Sequence, residues 1–248
     1  VTTPEIQAKI EAHLAQKPAE FLLTRRFDLV DDGTPPDFTL AYDAQSGARL
    51  SGKLPKGLDA AQITQILQLP YIEDTAQVGL IGRADFTRQV LRVLADWLRH
   101  FEQFEFQYSA GQLALKGVAA PGVAAEDLTA ALSSRFVIAT EISEAGPSAD
   151  IGAERIHARS GLLERRVPEA WVPVYSFEPT AARCSAATST ILEQEHLGFG
   201  EGLARFDVSA APALAHLAGL IGHCLRNSAL RVDAVDHSFS MQSEAEND

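Results

Sequence analysis

Apolar and polar residues alternate through Phe38-Thr39-Leu40-Ala41-Tyr42, the period-two pattern of a strand with one buried face. The alternation returns in Phe104-Glu105-Phe106-Gln107-Tyr108. After each run comes a Gly-containing turn, Ser46-Gly47 or Ala110-Gly111. A second strand follows, Arg49-Leu50-Ser51-Gly52 in one copy and Leu113-Ala114-Leu115-Lys116-Gly117 in the other. Phe38 and Phe104 stand 66 residues apart, as do Tyr42 and Tyr108, while Leu50 and Leu115 stand 65 apart, so one residue of turn length separates the copies. Each hairpin leads through a Pro-Gly-type loop (Pro55-Lys56-Gly57, Pro121-Gly122) into residues at helical spacing: Leu58, Ile63, Ile66, Leu67, and Val123, Leu128, Ala131, Leu132. Tyr71-Ile72 onward and Phe136 to Thr140 read as closing strands. The pattern predicts an α+β protein built from repeated strand-strand-helix-strand modules.

Between the copies, Phe86, Val90, Val93, Leu94, Trp97, Leu98 and Phe101 predict an amphipathic helix over 83–101. Such a stripe is core before it is a binding surface, so Trp97 is read as structural. Upstream, Thr3 to Ala15 reads as a helix with Ile6, Ile10, Ala12 and Leu14 near helical spacing, and Phe21 to Val30 as a strand. This opening resembles the tail of another such module, and the chain is read as an excerpt of a longer one. From Glu144 to Thr180 the periodicity breaks at Gly146-Pro147, Pro168, Pro173 and Pro179. Trp171 to Phe177 still alternates well enough for an edge strand. The last third predicts a helix from Cys184, a strand over 197–199, a helix from Ala211 to Arg226 and a strand over 230–235. The divisions expected are 1–35 (tail of a preceding module), 36–82 (first module), 83–143 (connecting helix and second module), 144–180 (linker) and 181–248 (a partial α/β domain).

The formal charge of −12 argues against nucleic acid, which needs a basic stripe to displace counterions. The nearest approach to one is Arg155, Arg159, Arg165 and Arg166 with His157, read as a solvated linker. No run of about 18 apolar residues is present to span a bilayer. Cys184 and Cys224 are open to three readings: an oxidised pair, two small buried hydrophobes, or half a metal site. Neither has a CxxC partner and only His223 lies beside one, which argues against zinc.

Cys184, Ile191-Leu192, Leu197-Gly198-Phe199-Gly200-Glu201-Gly202 and Ala204 resemble the start of an OmpA-like C-terminal domain of the peptidoglycan-associated type. Leu214 to Leu225 resembles that family's next helix, and Arg231 to Val235 the strand before its GHTD-x-x-G-x-x-x-x-N loop. The loop here runs from Asp236 to Asn247 and keeps His237, Ser238 (for Thr) and Asn247; Phe239 replaces the family's aspartate. The resemblance covers about a quarter of the chain. It implies a degenerate peptidoglycan-binding loop (Asp236, His237, Ser238, Asn247), a Cys184–Cys224 disulfide and a periplasmic location. The upstream modules resemble the BON-type repeats found before OmpA-like domains in some alphaproteobacterial envelope proteins. Together these imply a non-catalytic envelope scaffold, with other envelope proteins, peptidoglycan and the membrane surface as partners and with no cofactor, metal or nucleic acid. Two alternatives are carried: a genuine peptidoglycan anchor using a shifted loop, and an enzyme with a dispersed carboxylate site.

No catalytic constellation stands out. Gly198 to Gly202 lacks the βαβ opening and the GK[ST] ending of a phosphate loop. The adjacent side chains of Asp236-His237-Ser238 diverge and cannot form a relay. His13, His100, His157, His196, His216 and His223 lack metal-ligand spacing and are read as surface histidines or satisfied, partly buried ones.

Overall fold

Both alternating hairpins lie in one mixed sheet, joined at its centre. The computed structural model describes residues 4–14, 33–146, 150–195, 197, 206–227 and 229–232. After α1 (Pro4–Leu14), β1 (Asp37–Asp43) and β2 (Gly47–Leu54) form an antiparallel hairpin. α2 (Ala60–Leu67) follows, capped by Asp59, whose carboxylate accepts from Gln62 N at 2.8 Å. β3 (Ile72–Asp74) and β4 (Gln77–Val78) both return parallel to β2. α3 (Ala84–Trp97) and a 3-10 turn (Leu98–His100) lead to the second hairpin, β5 (Phe101–Ser109) and β6 (Gln112–Ala119). α4 (Ala125–Ser133) and β7 (Ile138–Ser143), parallel to β6, complete it. Helices and mixed sheets place the protein in the α+β class.

The strand order is β3-β2-β1-β5-β6-β7, so the two segments abut through their first strands. Their antiparallel register pairs Phe38 with Tyr108, Leu40 with Phe106 and Tyr42 with Phe104. Positions 40 and 106 correspond in the two segments, so a local two-fold axis runs through that pair. Phe38, Leu40, Tyr42, Leu50, Phe104, Phe106 and Leu115 are buried in one apolar core with Leu58, Ile63 and Leu67 of the first segment, Leu91 and Leu94 of α3, and Leu128 and Leu132 of α4. Burying each such side chain contributes roughly 1.5–3 kcal/mol before the entropy of ordering is counted. The x-Gly positions that close both hairpins have a steric cause. A Cβ on Gly52 would lie 2.3 Å from Asp37 O, and one on Gly117 would lie 2.8 Å from Gln103 O. Gly52 also adopts φ +95°, which L side chains avoid.

Several boundaries differ from the sequence reading. The connecting helix stops at Trp97, and Phe101 begins β5. A register shift between Phe101 and Gln103 inserts Glu102 as an extra residue, which lets Phe101 and Phe104, three apart, both face the core. The buried face of α3 is Ala84, Thr87, Val90, Leu91, Leu94 and Ala95, leaving Phe86 exposed with its edge on Phe136. In α1, Ile6 and Ile10 are exposed.

Residues 154–173 are not a solvated stretch. They form a small antiparallel sheet, β8 (Glu154–Ile156), β9 (Leu163–Val167) and β10 (Ala170–Pro173), in order β10-β9-β8. β10 is an edge strand, but it ends at Pro173 instead of continuing to Phe177. α5 (Ala181–Gln194) and α6 (Ala211–Cys224) pack together, and α6 also lies on β10. Leu197 and residues 230–232 are outside any strand, and the rest of the two expected C-terminal strands, 198–199 and 233–235, lies outside the described residues. The expected strand at Phe21 to Val30 lies outside the described residues, as do Gly198 to Gly202.

Candidate functional site

The small sheet turns an unusually charged face inward. Period two puts Glu164 and Arg166 of β9 on one side, and the strand register sets Arg155 opposite Glu164 and Trp171 opposite Arg166. Arg155, Glu164 and Arg166 are buried. Buried charges persist only when paired, and Arg155 is paired twice. Its Nε donates to Glu164 at 3.0 Å, and its Nη1 donates to Glu102, the residue inserted in β5. The Arg155 guanidinium also lies 4.0 Å over the Trp171 ring, a cation–π contact of about 2 kcal/mol when desolvated. Arg166 lies 5.9 Å from the same ring, and its Nη1 is buried without a hydrogen-bond partner.

The same layer closes one wall of a cleft of about 660 Å³. Phe101 and the 120–123 loop of the two-module body face Arg155, His157, Arg159, Glu164 and Trp171 of the layer, with the start of α6 and the end of α5 at the rim. Glu195, just past α5, accepts from Arg99 and lies 3.3 Å from His216 Nδ1. Burial pushes the Glu195 carboxyl up, but the His216 hydrogen bond and the charge and hydrogen bond of Arg99 outweigh it and bring its pKa down to about 2. Glu164 goes the other way: burial raises its pKa against the opposing pull of Arg155. Arg159 reaches across to the two-module body, donating to Ala95 O and Gln68 Oε1, both at 3.0 Å. Those acceptors lie at the C-terminal ends of α3 and α2, where helix dipoles favour a cation. Below this cluster, burial lifts the Tyr42 phenol to about 12 although Arg159 and Arg155 oppose the rise.

One arrangement has the outline of a nucleophile and base: Ser160 Oγ lies 3.1 Å from His157 Nδ1. Its electrostatics are inverted. Burial, then the charges of Arg155 and Arg159, bring the His157 pKa down to about 4, so the imidazolium that a serine relay must form is disfavoured. His157 Nδ1 instead accepts from Ser160 N at 3.2 Å, closing the 157–160 turn. Among the described residues no group of three His, Cys, Asp or Glu side chains is placed to hold a metal.

Cys184 and Cys224 are bonded, joining the first turn of α5 to the end of α6 with Cα atoms 6.1 Å apart. Asp236, His237, Ser238 and Asn247 lie outside the described residues. Three histidines, His100, His157 and His223, are buried. His100 is buried beside Trp97, and burial lowers its pKa although backbone groups of Ser209, Trp97 and Val208 oppose the drop. His223 is buried with Nε2 2.7 Å from Phe177 O.

The sequence reading missed Arg155, Glu164, Arg166 and Trp171. Leu163-Glu164-Arg165-Arg166-Val167 carries charge on both faces, so the period-two test has no apolar face to register. The usable signal was opposite charge at facing positions of a short hairpin, with a tryptophan two residues past Glu169. No family model, no curated protein and no solved structure matches the chain. No helix among the described residues is long and apolar enough to cross a membrane.

Proposed function

We propose that this protein is a non-catalytic binding scaffold of the Gram-negative cell envelope, working in the periplasm. The observation that carries the proposal is the Cys184–Cys224 bond, because disulfides persist in oxidising compartments and are rare in the cytosol. The cleft supports a binding role over a chemical one: Arg155, Arg99, Glu164 and Glu195 are engaged in ion pairs, and the Ser160–His157 contact has the wrong polarity for a relay. Other envelope proteins are the partners proposed for the two-module body, with the membrane surface as a further one. Peptidoglycan is proposed for the C-terminal segment with impaired affinity. Phe239 cannot accept from a diaminopimelate ammonium, and losing a charge-assisted bond costs about 1.5–3 kcal/mol. An anchor using Asp236 through a shifted loop is the stronger-binding variant of the same reading.

Two measurements test the proposal. Protein prepared from the periplasm should yield no free thiol on denaturation without reductant; two free thiols overturn the compartment. Calorimetry with a muropeptide should give no heat at millimolar ligand. Micromolar binding that vanishes in Asp236→Ala would establish the anchor instead.

A second reading has one observation in its favour. Glu164 is pushed up and Glu195 is held at about 2 around a single cleft, the divergence that acid–base pairs use. A dispersed-carboxylate hydrolase predicts turnover in a broad substrate screen that Glu164→Gln abolishes.

A further inference from the structure

The two outer edges of the large sheet are finished differently. On one side β2 is met by two short pieces, β3 and β4, broken at Thr75-Ala76, with Asp74 accepting from Ala76 N at 2.8 Å and Glu73 and Asp74 exposed. Breaks and charges of this kind are how natural sheets prevent further pairing. On the other side β7 runs unbroken for six residues, each paired to β6 from Ile138 to Ser143, and no described strand pairs with its far side. Alternate backbone N–H and C=O groups of such a strand point outward, a template for another strand. Its one charged side chain, Glu141, is held 3.0 Å from Lys116 on β6. Apolar surface flanks it: Val137 is 99% exposed, and Phe86 is 45% exposed where it meets Phe136.

We propose that the β7 edge is a self-association surface, on which a second copy of this chain adds its own β7 antiparallel across a two-fold axis. The choice of occupant rests on how this strand matches itself. A two-fold axis perpendicular to the sheet keeps side chains on their own faces, so only registers pairing residues of the same parity are allowed. With the axis at Thr140, Thr140 meets its symmetry mate and Ile138 meets Ile142 twice on the helix-covered face. On the open face each Glu141 meets the small Ala139 and keeps its own Lys116. Moving the axis to Glu141 sets like charges directly opposite, and moving it to Ala139 loses both isoleucine pairs. The protein already contains a junction of this symmetry, where β1 and β5 meet around Leu40 and Phe106. The β7 edge is a different surface from the cleft, none of whose lining residues belongs to β7.

The test uses the intact, disulfide-bonded chain. Its two cysteines are already paired, so Thr140→Cys adds the only free thiol. Opposed Cβ atoms in such a pair lie about 5 Å apart, and mild oxidation of Thr140→Cys should give a covalent dimer. Ser143→Cys, six residues from its own mate in this register, should stay monomeric. Sedimentation equilibrium of the unmodified chain should show concentration-dependent mass above 26.7 kDa. Ile142→Lys should weaken association by about tenfold or more with the thermal transition retained. A single 26.7 kDa species up to the highest attainable concentration overturns the proposal. So does Ser143→Cys cross-linking as well as Thr140→Cys, or a dimer indifferent to Ile142→Lys.

Discussion

The two-module body and the layer that begins at Asp150 are held together by different physics. In the body, hydrophobic burial dominates: Phe38, Leu40, Phe101, Phe106 and their neighbours form a continuous apolar core at the sheet–helix junction. Among the described residues the layer's own apolar cluster is small, centred on Ile191, Leu220 and Cys224 with Tyr175, Phe177, Ala187, Leu217 and Leu230 packed against it. Its remaining cohesion comes from the Arg155–Glu102–Glu164 network, the Glu195 contacts and a covalent bond. Burial is non-directional and tolerates pH and salt, whereas ion pairs need their protons and geometry in place. The layer should therefore be the part of the molecule that conditions can detach.

The largest effect belongs to the body. Phe106→Ala, at a fully buried site on the local two-fold axis, should cost about 3–5 kcal/mol in chemical unfolding of the whole chain. A cost below about 1 kcal/mol would mean that the junction between the modules is not where stability resides. Reduction of the disulfide comes next. It closes a 40-residue separation, worth roughly 3–4 kcal/mol in the loop-entropy model. Hydrogen exchange after reduction should rise in α5 and α6 and stay slow in β1, β5 and β6. Equal loss of protection in both regions would erase the distinction.

The third prediction concerns acid. His157 has a folded pKa of about 4 against an ordinary 6.5, so between those values the unfolded chain binds the proton first. The stability it contributes is present above about 6.5 and is lost as pH falls to about 4, on the order of 2–3 kcal/mol. Glu195 has a folded pKa of about 2 against 4.5, so its contribution holds above 4.5 and disappears between 4.5 and 2. Melting temperature should fall in two successive steps on acidification. In His157→Gln the upper step should flatten, and an unchanged slope would assign it to another group. The smallest effect is at the surface. The Arg49–Glu73 pair is widely exposed on both sides, and Arg49→Ala should change stability by less than about 0.5 kcal/mol.

The same contrast explains what could be read from the sequence. The hairpins of the body were legible because one face is apolar and the other polar at every second residue, with glycines where the chains crowd. The end of α3 was not, because Trp97, Leu98 and Phe101 continue a helical spacing. On β5 that spacing is produced by an inserted Glu102 instead. The layer was opaque for a deeper reason: its buried positions are Arg155, Glu164 and Arg166, residues that composition assigns to solvent until their partners are known. The cysteine pairing was available only through family resemblance. The proposed wall-binding loop, Asp236 to Asn247, lies beyond the described residues.

The junction at Leu40 and Phe106 also sets the order of events when the chain folds. Each hairpin closes over a few residues and forms on the microsecond scale. Pairing β1 with β5 brings together residues 60 to 72 apart in sequence, after β2, α2, β3, β4 and α3 have all intervened. Two half-sheets are therefore expected to form first, each with a bare hydrogen-bonding edge at the strand that will become the middle of the molecule. Their pairing is the step expected to be slow, because it is governed by loop closure and not by local propensity. Until it occurs, Phe38 and Phe106 are exposed on unpaired edges, and crowded nascent chains at that stage can join half-sheets from different molecules across the same seam.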